Sequence, residues 1–377
     1  MRDLSLYIHI PFCVKKCDYC DFLSAPASID VQEQYLHALF QEIRERSAVY
    51  KEYRVKTIFI GGGTPSVVPA EKILELMQVV RDCFEVCPDA EISMELNPGT
   101  VTGKEAFEIY RKAGLNRLSI GLQSANDEEL KTLGRIHTFS QFEDTWKLAR
   151  ETGFENLNVD IMSALPGQSV ASYRKTLETV CALMPEHISA YSLIIEEGTP
   201  FFERYSLTLG DEANEERDRQ MYVLTEQILK ENGYERYEIS NYARPGKECR
   251  HNLVYWTRGA YLGLGLGAAS MINNARYKNT DDLREYIRQG GGTPYEEVQE
   301  LSVREQMEEF MYLGLRLVKG ISKADFARTF DCTVESVFGE VLARNQRDGL
   351  LVIGEEHIAL TAKGLDLSNY VFAQFLE

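Results

Sequence analysis

The sequence predicts an α/β fold: a parallel sheet of six strands covered by helices, followed by a mostly helical C-terminal domain. Three observations support this prediction. Strand-like and helix-like segments alternate over the first 200 residues, most of the predicted strands end in polar, glycine or cysteine motifs, and the pattern becomes mainly helical after about residue 300. At 377 residues the chain is long enough for two domains.

Short apolar runs rich in β-branched residues predict the six strands. They are Leu6–Ile10, Val55–Ile60, Glu91–Leu96, Arg117–Leu122, Leu157–Ser163 and His187–Ile195. Amphipathic stretches between them predict helices at Val31–Tyr50, Ala70–Phe84, Thr102–Ala113, Phe139–Thr152 and Val170–Leu183. A strand–helix–strand order is typical of parallel sheets, and six such strands form either an open sheet or a partial barrel.

The ends of the predicted strands carry the unusual residues of this half. In chain order they are the loop with Cys13, Cys17 and Cys20, then Gly61-Gly62-Gly63-Thr64-Pro65, Glu95-Leu96-Asn97-Pro98-Gly99, Gln123-Ser124, and Asp160 within the fifth strand. Parallel α/β folds place their sites at the carboxyl ends of the strands. We therefore expect one concave face to collect these groups.

The remaining sequence predicts a linking region and a separate C-terminal domain. Asp211–Glu231 is a charged helix, residues 234–261 are aromatic and irregular, and Gly290–Pro294 has the composition of a linker. Gly263, Gly265 and Ala268 weakly match a dinucleotide fingerprint, but no clear strand precedes them in a strand–helix–strand unit. Predicted helices at Ser302–Val318, Ser322–Phe330 and Val334–Asp348, with a hairpin of Leu350–Ile353 and His357–Leu360, resemble a winged-helix module. The predicted division is 1–235, 236–300 and 301–377.

Composition and charge exclude several classes of protein. The chain is 44% hydrophobic and carries a net charge of −17, from 41 Lys and Arg against 58 Asp and Glu. Such an acidic protein binds nucleic acid and anionic membranes poorly, because all three carry negative charge. No stretch approaches the roughly 20 apolar residues of a membrane span, and no signal peptide is visible. We expect a cytoplasmic protein with no transmembrane segment and no nucleic-acid partner.

Three of the eight cysteines lie within eight residues, in the spacing Cys13-x3-Cys17-x2-Cys20. A structural zinc ion normally takes four ligands, commonly in two pairs, and no second CxxC pair is present. Three cysteines on one tight loop fit three irons of a [4Fe–4S] cluster and leave the fourth iron open to a non-protein ligand. A zinc site or a chance grouping are the alternatives at this point.

The cysteine spacing, with Tyr19 just before the last cysteine, resembles the signature of the radical S-adenosylmethionine (SAM) family. The run Leu6–Cys13, together with the motifs at the later strand ends, resembles the branch that contains oxygen-independent coproporphyrinogen III oxidases and haem chaperones of the HemW type. The resemblance implies a partial parallel (β/α)₆ radical-SAM barrel with a cluster on the three cysteines. It also implies that the open iron binds SAM and that a flavodoxin or ferredoxin type of protein donates electrons.

Further site residues follow from the resemblance alone. By similarity, Tyr7, Gly62 and Glu95 contact a first SAM molecule, and members of the family can hold a second. The second set maps to Tyr19, Gly63, Thr64, Gln123, Arg135 and Asp160. The plain alternatives are a tight glycine turn at 61–63, a surface carboxylate at Glu95 and a solvated charge at Arg135.

Two features separate the two activities of the branch. The oxidases have a further cysteine two residues after the third and a longer segment before the cluster loop, whereas here Phe22 occupies that position and twelve residues precede Cys13. The segment His251-Asn-Leu-Val-Tyr255-Trp256 resembles the HNxxYW motif of the haem chaperones, and histidine is a common axial ligand of haem iron. The resemblance therefore implies a chaperone that binds haem at His251 and delivers it to acceptor proteins. Oxidative decarboxylation of coproporphyrinogen III is the alternative function, and a packed aromatic core is the alternative for the motif.

Overall fold

One large sheet forms the centre of the computed structural model, which describes residues 1–208, 211–290, 292 and 295–376. Its strands are β1 (Arg2–Ile10), β2 (Tyr53–Gly62), β3 (Glu85–Leu96), β4 (Arg117–Gln123), β5 (Leu157–Ser163), β6 (His187–Ser192), β7 (Glu235–Arg236), β8 (Asn241–Ala243), β9 (Tyr261–Leu264), β10 (Ala269–Ile272), β11 (Ala275–Lys278) and β12 (Glu296–Glu300). Their order across the sheet is β12-β11-β10-β9-β1-β2-β3-β4-β5-β6-β8-β7. The run from β9 through β6 is parallel, and the strands at both edges are antiparallel. All six predicted strands are confirmed, with ends that move by a few residues.

Helices surround this sheet, and the long ones cover its outer face. They are α1 (Ile29–Ser47), α2 (Ala70–Cys83), α3 (Lys104–Lys112), α4 (Asp127–Thr132), α5 (Phe139–Glu151), α6 (Val170–Ala182), α7 (Pro200–Tyr205), α8 (Glu212–Glu231), α9 (Arg250–Trp256) and α10 (Leu283–Arg288). Several of the long helices begin at polar caps, such as the capping box of Thr138 and Gln141 before α5. The predicted helices are confirmed, but the sequence did not predict α4, α7, α9 or α10, because six or seven residues are too few to show a helical period.

The strands alternate apolar and polar side chains, and this alternation creates the interior site. On β1, Leu6 and Ile8 belong to the main apolar core, whereas Tyr7 lines a cavity on the opposite face. Strands β1 to β6 all contribute side chains to that one cavity. The parallel sheet therefore curves around the cavity as an open barrel.

The segment between 236 and 300 is more ordered than the sequence predicted. Strand β9 pairs in parallel with β1, from Ser5 opposite Tyr261 to Ile8 opposite Leu264. No helix separates β9 from the antiparallel β10, which agrees with the expectation that the glycine-rich strip does not belong to a strand–helix–strand unit. A Cβ atom on Gly263 would lie only 2.3 Å from the carbonyl oxygen of Ala269, so glycine permits a close approach of β9 to β10. Of the predicted linker, residues 291, 293 and 294 lie outside the described residues.

A buried carboxylate fastens these added strands to α1. Glu42 accepts hydrogen bonds from the backbone N–H of Gly265 at 2.8 Å, from Asn279 Nδ2 at 2.6 Å and from the Tyr286 hydroxyl at 2.6 Å. Burial raises the pKa of Glu42 to about 7, although these hydrogen bonds and the nearby Arg46 oppose the rise. Four elements of the chain therefore meet at one carboxyl group.

The C-terminal domain has its own apolar core. Its elements are α11 (Val303–Gly314), β13 (Ile321–Ser322), α12 (Lys323–Phe330), α13 (Val334–Arg347), β14 (Leu351–Ile353), β15 (His357–Leu360), α14 (Ala362–Asp366) and α15 (Ser368–Ala373). Helix, short strand, two helices and a hairpin follow one another as in a winged-helix module. Glu309 of α11 joins this domain to the sheet, since its carboxylate contacts Arg258 Nε at 2.9 Å and Arg276 Nη2 at 2.8 Å. Within the described ranges, no helix has both the length and the apolar character needed to cross a membrane.

Candidate functional site

The loop after β1 brings the three clustered cysteines to the carboxyl end of the sheet. Its two ends pair with each other, because the N–H of Ala25 donates to the carbonyl of Pro11 at 3.0 Å and the N–H of Cys13 donates to that of Ala25 at 3.3 Å. The N–H of Cys20 donates to the carbonyl of Cys17 at 3.2 Å, which tightens the far end of the loop. Cys13 is buried, and the other two thiols are partly exposed.

No three His, Cys, Asp or Glu side chains converge on a single metal ion within the part of the chain that the structure describes. A cubane cluster places each thiolate on a different iron, so its ligands need not meet at one point. The donor chemistry of three cysteines on one loop fits such a cluster. Asp18 and Tyr19 lie between Cys17 and Cys20. Both residues contact the surrounding protein.

The segment after α4 holds the cluster loop from the other side. The N–H of Asp18 donates to the carbonyl of Leu133 at 3.2 Å, and the Asp18 carboxylate pairs with Arg204 at 2.7 Å. Arg135 Nη1 lies 3.7 Å from Cys17 Sγ, in hydrogen-bonding geometry. The alternative of a solvated Arg135 therefore does not fit the structure, because this guanidinium group faces the loop.

Asn97 connects the guanidinium group to the glycine turn, and the sequence analysis did not select it. Its Oδ1 accepts from Arg135 Nη2 at 2.7 Å, and its Nδ2 donates to Thr64 Oγ1 at 2.6 Å. Arg135 Nη2 also donates to the carbonyl of Gly121 at 2.7 Å. Its position two residues after Glu95, in the polar motif that ends β3, could have indicated that Asn97 belongs to the site.

The glycine turn after β2 packs directly against the cluster loop. Gly62 has a φ of +117°, and its N–H donates to Glu95 Oε2 at 3.0 Å. The N–H of Gly63 donates to the carbonyl of Ile10 at 2.9 Å, and a Cβ at Gly63 would lie 2.5 Å from the carbonyl oxygen of Phe12. The missing side chains are therefore required for the close approach of two backbones.

The interior cavity has a volume of about 220 Å³, and its lining includes Tyr7, Glu95, Asp160 and His251. Burial raises the pKa of Glu95 to about 8; repulsion from Asp160 adds to the rise, and the N–H of Gly62 opposes it. Burial also raises the pKa of Asp160, against hydrogen bonds from neighbouring polar side chains. Two carboxyl groups in one cavity can accept hydrogen bonds from hydroxyl groups and can bind a cation.

Gln123 Oε1, at the end of β4, and Arg135 Nε, on the segment after α4, are buried polar atoms without a hydrogen-bond partner within the described residues. Gln123 also has a φ of +67° at the end of β4, a conformation that is uncommon for residues other than glycine. Unpaired buried polar atoms are costly unless a ligand or water satisfies them.

Tyr19, from the cluster loop, packs its ring edge-on against Phe201 with centroids 6.3 Å apart.

His251 lies inside the barrel, away from the cluster loop. Its Nδ1 is 2.7 Å from Thr57 Oγ1, its Nε2 is 2.8 Å from the Tyr255 hydroxyl, and its ring stacks on Phe59. Along β2, Thr57 lies five residues before Gly62, the last residue of the strand. At 3.3 Å per residue, the hydrogen-bond partner of His251 is therefore about 16 Å from the glycine turn that contacts the cluster loop. The side chain is 1% exposed, and burial lowers its pKa to about 3, so the ring is neutral.

Glu91 anchors the helix that carries His251, and this residue was also missed by the sequence analysis. Its carboxylate accepts from the backbone N–H groups of Arg250 at 3.1 Å and His251 at 3.0 Å, the first two residues of α9. A carboxylate at this position satisfies N–H groups that a helix leaves unpaired. Helix α9 therefore begins beside the middle of β3.

Comparison with known proteins places this architecture in a family. The sequence matches the Radical SAM superfamily over residues 7–180 and the HemN C-terminal domain over residues 301–367. The haem chaperone HemW of Bacillus subtilis (strain 168) is 37% identical over 375 residues, which cover 99% of both chains. This chain belongs to the HemW-type branch of the radical SAM family. HemW of Escherichia coli (strain K12) is also 37% identical, over 99% of this chain and 98% of its own.

A solved structure of another branch member has the same fold. Coproporphyrinogen III oxidase (HemN) from Escherichia coli is a radical SAM enzyme that superposes with a TM-score of 0.86 at 27% identity. The similarity covers 99% of this chain and 90% of that one. Membership of the radical SAM family implies a [4Fe–4S] cluster and SAM. The haem chaperone and the oxidase therefore share one scaffold, and the fold alone does not separate their activities.

Proposed function

We propose that this protein is a haem chaperone that binds haem and transfers it to acceptor proteins. The observation that supports this function is the similarity, over 99% of the chain, to proteins named haem chaperone HemW. Phe22, where the oxidases have a further cysteine, agrees with the same function, and its side chain is 64% exposed beside the cluster loop.

Cys13, Cys17 and Cys20 are the proposed ligands of the cluster, whose fourth iron is left for SAM. When it is bound and reduced by one electron, such a cluster can cleave the sulfonium of SAM to a carbon radical. A flavodoxin or ferredoxin type of protein is the proposed source of that electron. Arg135 supports this assignment, because its guanidinium group next to Cys17 Sγ would stabilise negative charge on the sulfur.

The proposed SAM contacts fall into two sets. Tyr7, Gly62 and Glu95 form the first set, and Tyr19, Gly63, Thr64, Gln123, Arg135 and Asp160 form the second. Burial raises the pKa of Glu95 to about 8, which favours the protonated carboxyl group at neutral pH. A bound cation would lower that pKa and release the proton, because opposite charge favours the carboxylate. The unpaired Gln123 Oε1 and Arg135 Nε support a ligand with polar groups at this position.

His251 of the HNxxYW motif is the proposed haem ligand. It can bind iron only if one of its ring nitrogens loses its hydrogen-bond partner. Both ring nitrogens already have hydrogen-bond partners, so the Tyr255 hydroxyl must move before Nε2 can bind iron. We expect His251→Ala to weaken haem binding about tenfold or more while the cluster remains. His187→Ala is the matched control, because His187 is equally buried with partners at both nitrogens. Equal losses in the two variants would mean that His251 only supports the fold.

The oxidase is the second candidate, because its structure resembles this one over 99% of the chain. The test is to incubate the anaerobically reconstituted protein with coproporphyrinogen III, SAM and a reductant, and to follow protoporphyrinogen. We expect no turnover, and we expect stoichiometric haem binding in a titration followed at the Soret band. Turnover without haem binding would mean that the protein functions as an oxidase and not as a haem chaperone.

A further inference from the structure

Arg117 is a buried cation in the barrel that has no counterion. It is the first residue of β4 and is 2% exposed. Among the described residues that line the interior cavity, it is the only Lys or Arg, and no acidic side chain forms an ion pair with it. A buried charge is costly unless it is paired, and arginine is rarely buried alone. Its position is therefore typical of a group that binds a ligand.

Two contacts fix the guanidinium group and leave one of its edges free. Nη1 donates to Asn156 Oδ1 at 3.2 Å and to the carbonyl of Lys247 at 3.1 Å. Nε and Nη2, which share the other edge of the planar group, donate no hydrogen bond within the part of the chain that the structure describes. Neither nitrogen is fully buried, in contrast to Arg135 Nε, so both border the cavity. Parallel N–H groups on one edge form the fork that binds both oxygens of a carboxylate.

The carboxyl groups of the cavity do not use this fork. Asp160 accepts hydrogen bonds from Ser119 Oγ at 3.1 Å and from Asn158 Nδ2 at 2.7 Å. Glu95 accepts from a backbone N–H of the glycine turn. Burial raises the pKa of Asp160, and the charge of Arg117 is among the weaker influences that oppose this rise. The fork is therefore available to a carboxylate that enters the cavity.

The same cavity contains the proposed haem ligand. Arg117 and His251 both line it, and the segment that holds Nη1 of Arg117 leads directly into α9, the helix of His251. The volume of about 220 Å³ lies below the roughly 300–1,000 Å³ of pockets for drug-sized ligands. Tyr255, whose hydroxyl must move before His251 can bind iron, is also part of the lining. The movement that frees His251 therefore also enlarges the cavity that Arg117 lines.

We propose that Arg117 binds a carboxylate in the barrel, with Nε and Nη2 as the donors, and that this carboxylate is a propionate group of haem held at His251. The identity of the ligand rests on the proposed chaperone function; the unpaired guanidinium group is a feature of the structure alone. The planar fork matches the two oxygens of a propionate, and a charged hydrogen bond is stronger inside a cavity than in water. Arg117 thereby distinguishes haem from porphyrin ligands without free carboxylates.

The test is a titration of the full-length, anaerobically reconstituted protein with ferric haem or with haem dimethyl ester, followed at the Soret band. The ester lacks free carboxylates but keeps the iron and the macrocycle. We expect the wild type to bind haem about tenfold more tightly than the ester, because hydrogen bonds to charged groups are strong. Arg117→Gln should bind haem about tenfold more weakly and the ester as the wild type does. Arg117→Lys should keep a reduced preference for haem, because lysine retains the charge but not the fork.

Arg236→Gln is the matched control. The Arg236 side chain is also 7% exposed and hydrogen-bonded, but it does not line the barrel cavity. Its variant should prefer haem over the ester as strongly as the wild type does. The cluster absorption and the SAM affinity from equilibrium dialysis should not change in any of these variants, because the contacts of both arginines lie away from the cluster loop.

Other results would overturn the proposal. Equal affinity of the wild type for haem and its ester, or an unchanged preference in Arg117→Gln, would exclude the propionate contact. Weakening of both ligands by the same factor would mean that Arg117 only supports α9 through Lys247. Loss of SAM affinity with an unchanged preference for haem would assign the fork to the carboxylate of SAM.

Two further outcomes are distinguishable from these. If Arg117→Gln does not fold, Arg117→Lys decides, since a preference for haem equal to that of the wild type would exclude the fork. If the wild type binds no haem, the proposed chaperone function fails, and this result is distinct from failure of the Arg117 contact alone.

Discussion

Replacement of Gly63 by alanine tests whether the glycine turn supports the cluster loop. The new Cβ would lie 2.5 Å from the carbonyl oxygen of Phe12 and 2.9 Å from its carbon. Ordinary van der Waals contact begins at 3.4 Å, so the two backbones must separate by about 0.9 Å. The flexible end of a side chain could rotate away, but here the opposing atoms belong to the backbone.

This separation would break the hydrogen bonds that join the turn to the loop. The bonds from Gly63 N–H to the Ile10 carbonyl and from Thr64 N–H to the Phe12 carbonyl measure 2.9 and 2.7 Å. An added 0.9 Å brings them to about 3.8 and 3.6 Å, which is too long for a hydrogen bond. Two bonds at about 1 kcal/mol each and an overpacking cost of about 1–3 kcal/mol give about 3–5 kcal/mol in total. Cys13 follows Phe12 directly, so we expect the displaced loop to bind the cluster poorly.

The assay is anaerobic reconstitution with iron and sulfide, with measurement of bound iron, the broad visible absorption and SAM binding. Gly339→Ala is the matched control, because its Cβ would meet no described atom within 4 Å and its φ is not positive. We expect the control to match the wild type and Gly63→Ala to lose most of its cluster. A Gly63→Ala protein with full iron content and normal SAM affinity would refute the reasoning.

Three further changes test other parts of the structure. Burial raises the pKa of Glu42 from 4.5 to about 7, so between these values the folded protein keeps a proton that the unfolded chain has lost, and the free energy of unfolding falls as pH rises. We expect a loss of about 1 kcal/mol from pH 6 to 8, and Glu42→Gln should remove this part of the pH dependence of chemical unfolding. A Glu42→Gln protein with the same slope as the wild type would contradict this. Cys17→Ala should abolish the visible absorption of the reconstituted cluster, whereas Cys332→Ala in the C-terminal domain should retain it. Arg135→Lys should weaken SAM binding about tenfold in equilibrium dialysis, because the single amino group of lysine cannot contact Cys17 Sγ and Asn97 Oδ1 as the two guanidinium nitrogens do. Unchanged affinity would exclude a role for the guanidinium group in SAM binding.

The sequence by itself determined the alternation of strands and long helices and the family to which the chain belongs. These features are local: a strand or helix shows its period within one segment, and Cys13, Cys17 and Cys20 form their motif within eight residues. The order of such units also determines a parallel sheet, because each helix must cross over to the next strand. The strand-end rule correctly directed attention to Glu95 and Asp160, which the structure places at one cavity.

Only the tertiary structure decided which distant residues meet. It placed β9 beside β1 across about 250 residues, joined Arg135 to Thr64 through Asn97, and enclosed His251 between two hydrogen-bond partners. It also placed His251 in the barrel cavity and Trp256, at the other end of the same motif, in a second cavity beside the C-terminal domain. Pairing between distant segments depends on the packing of the whole chain, and no periodicity within a single segment encodes it. For this reason the sequence named the groups that carry the chemistry, and the folded chain decided which of them a ligand can reach.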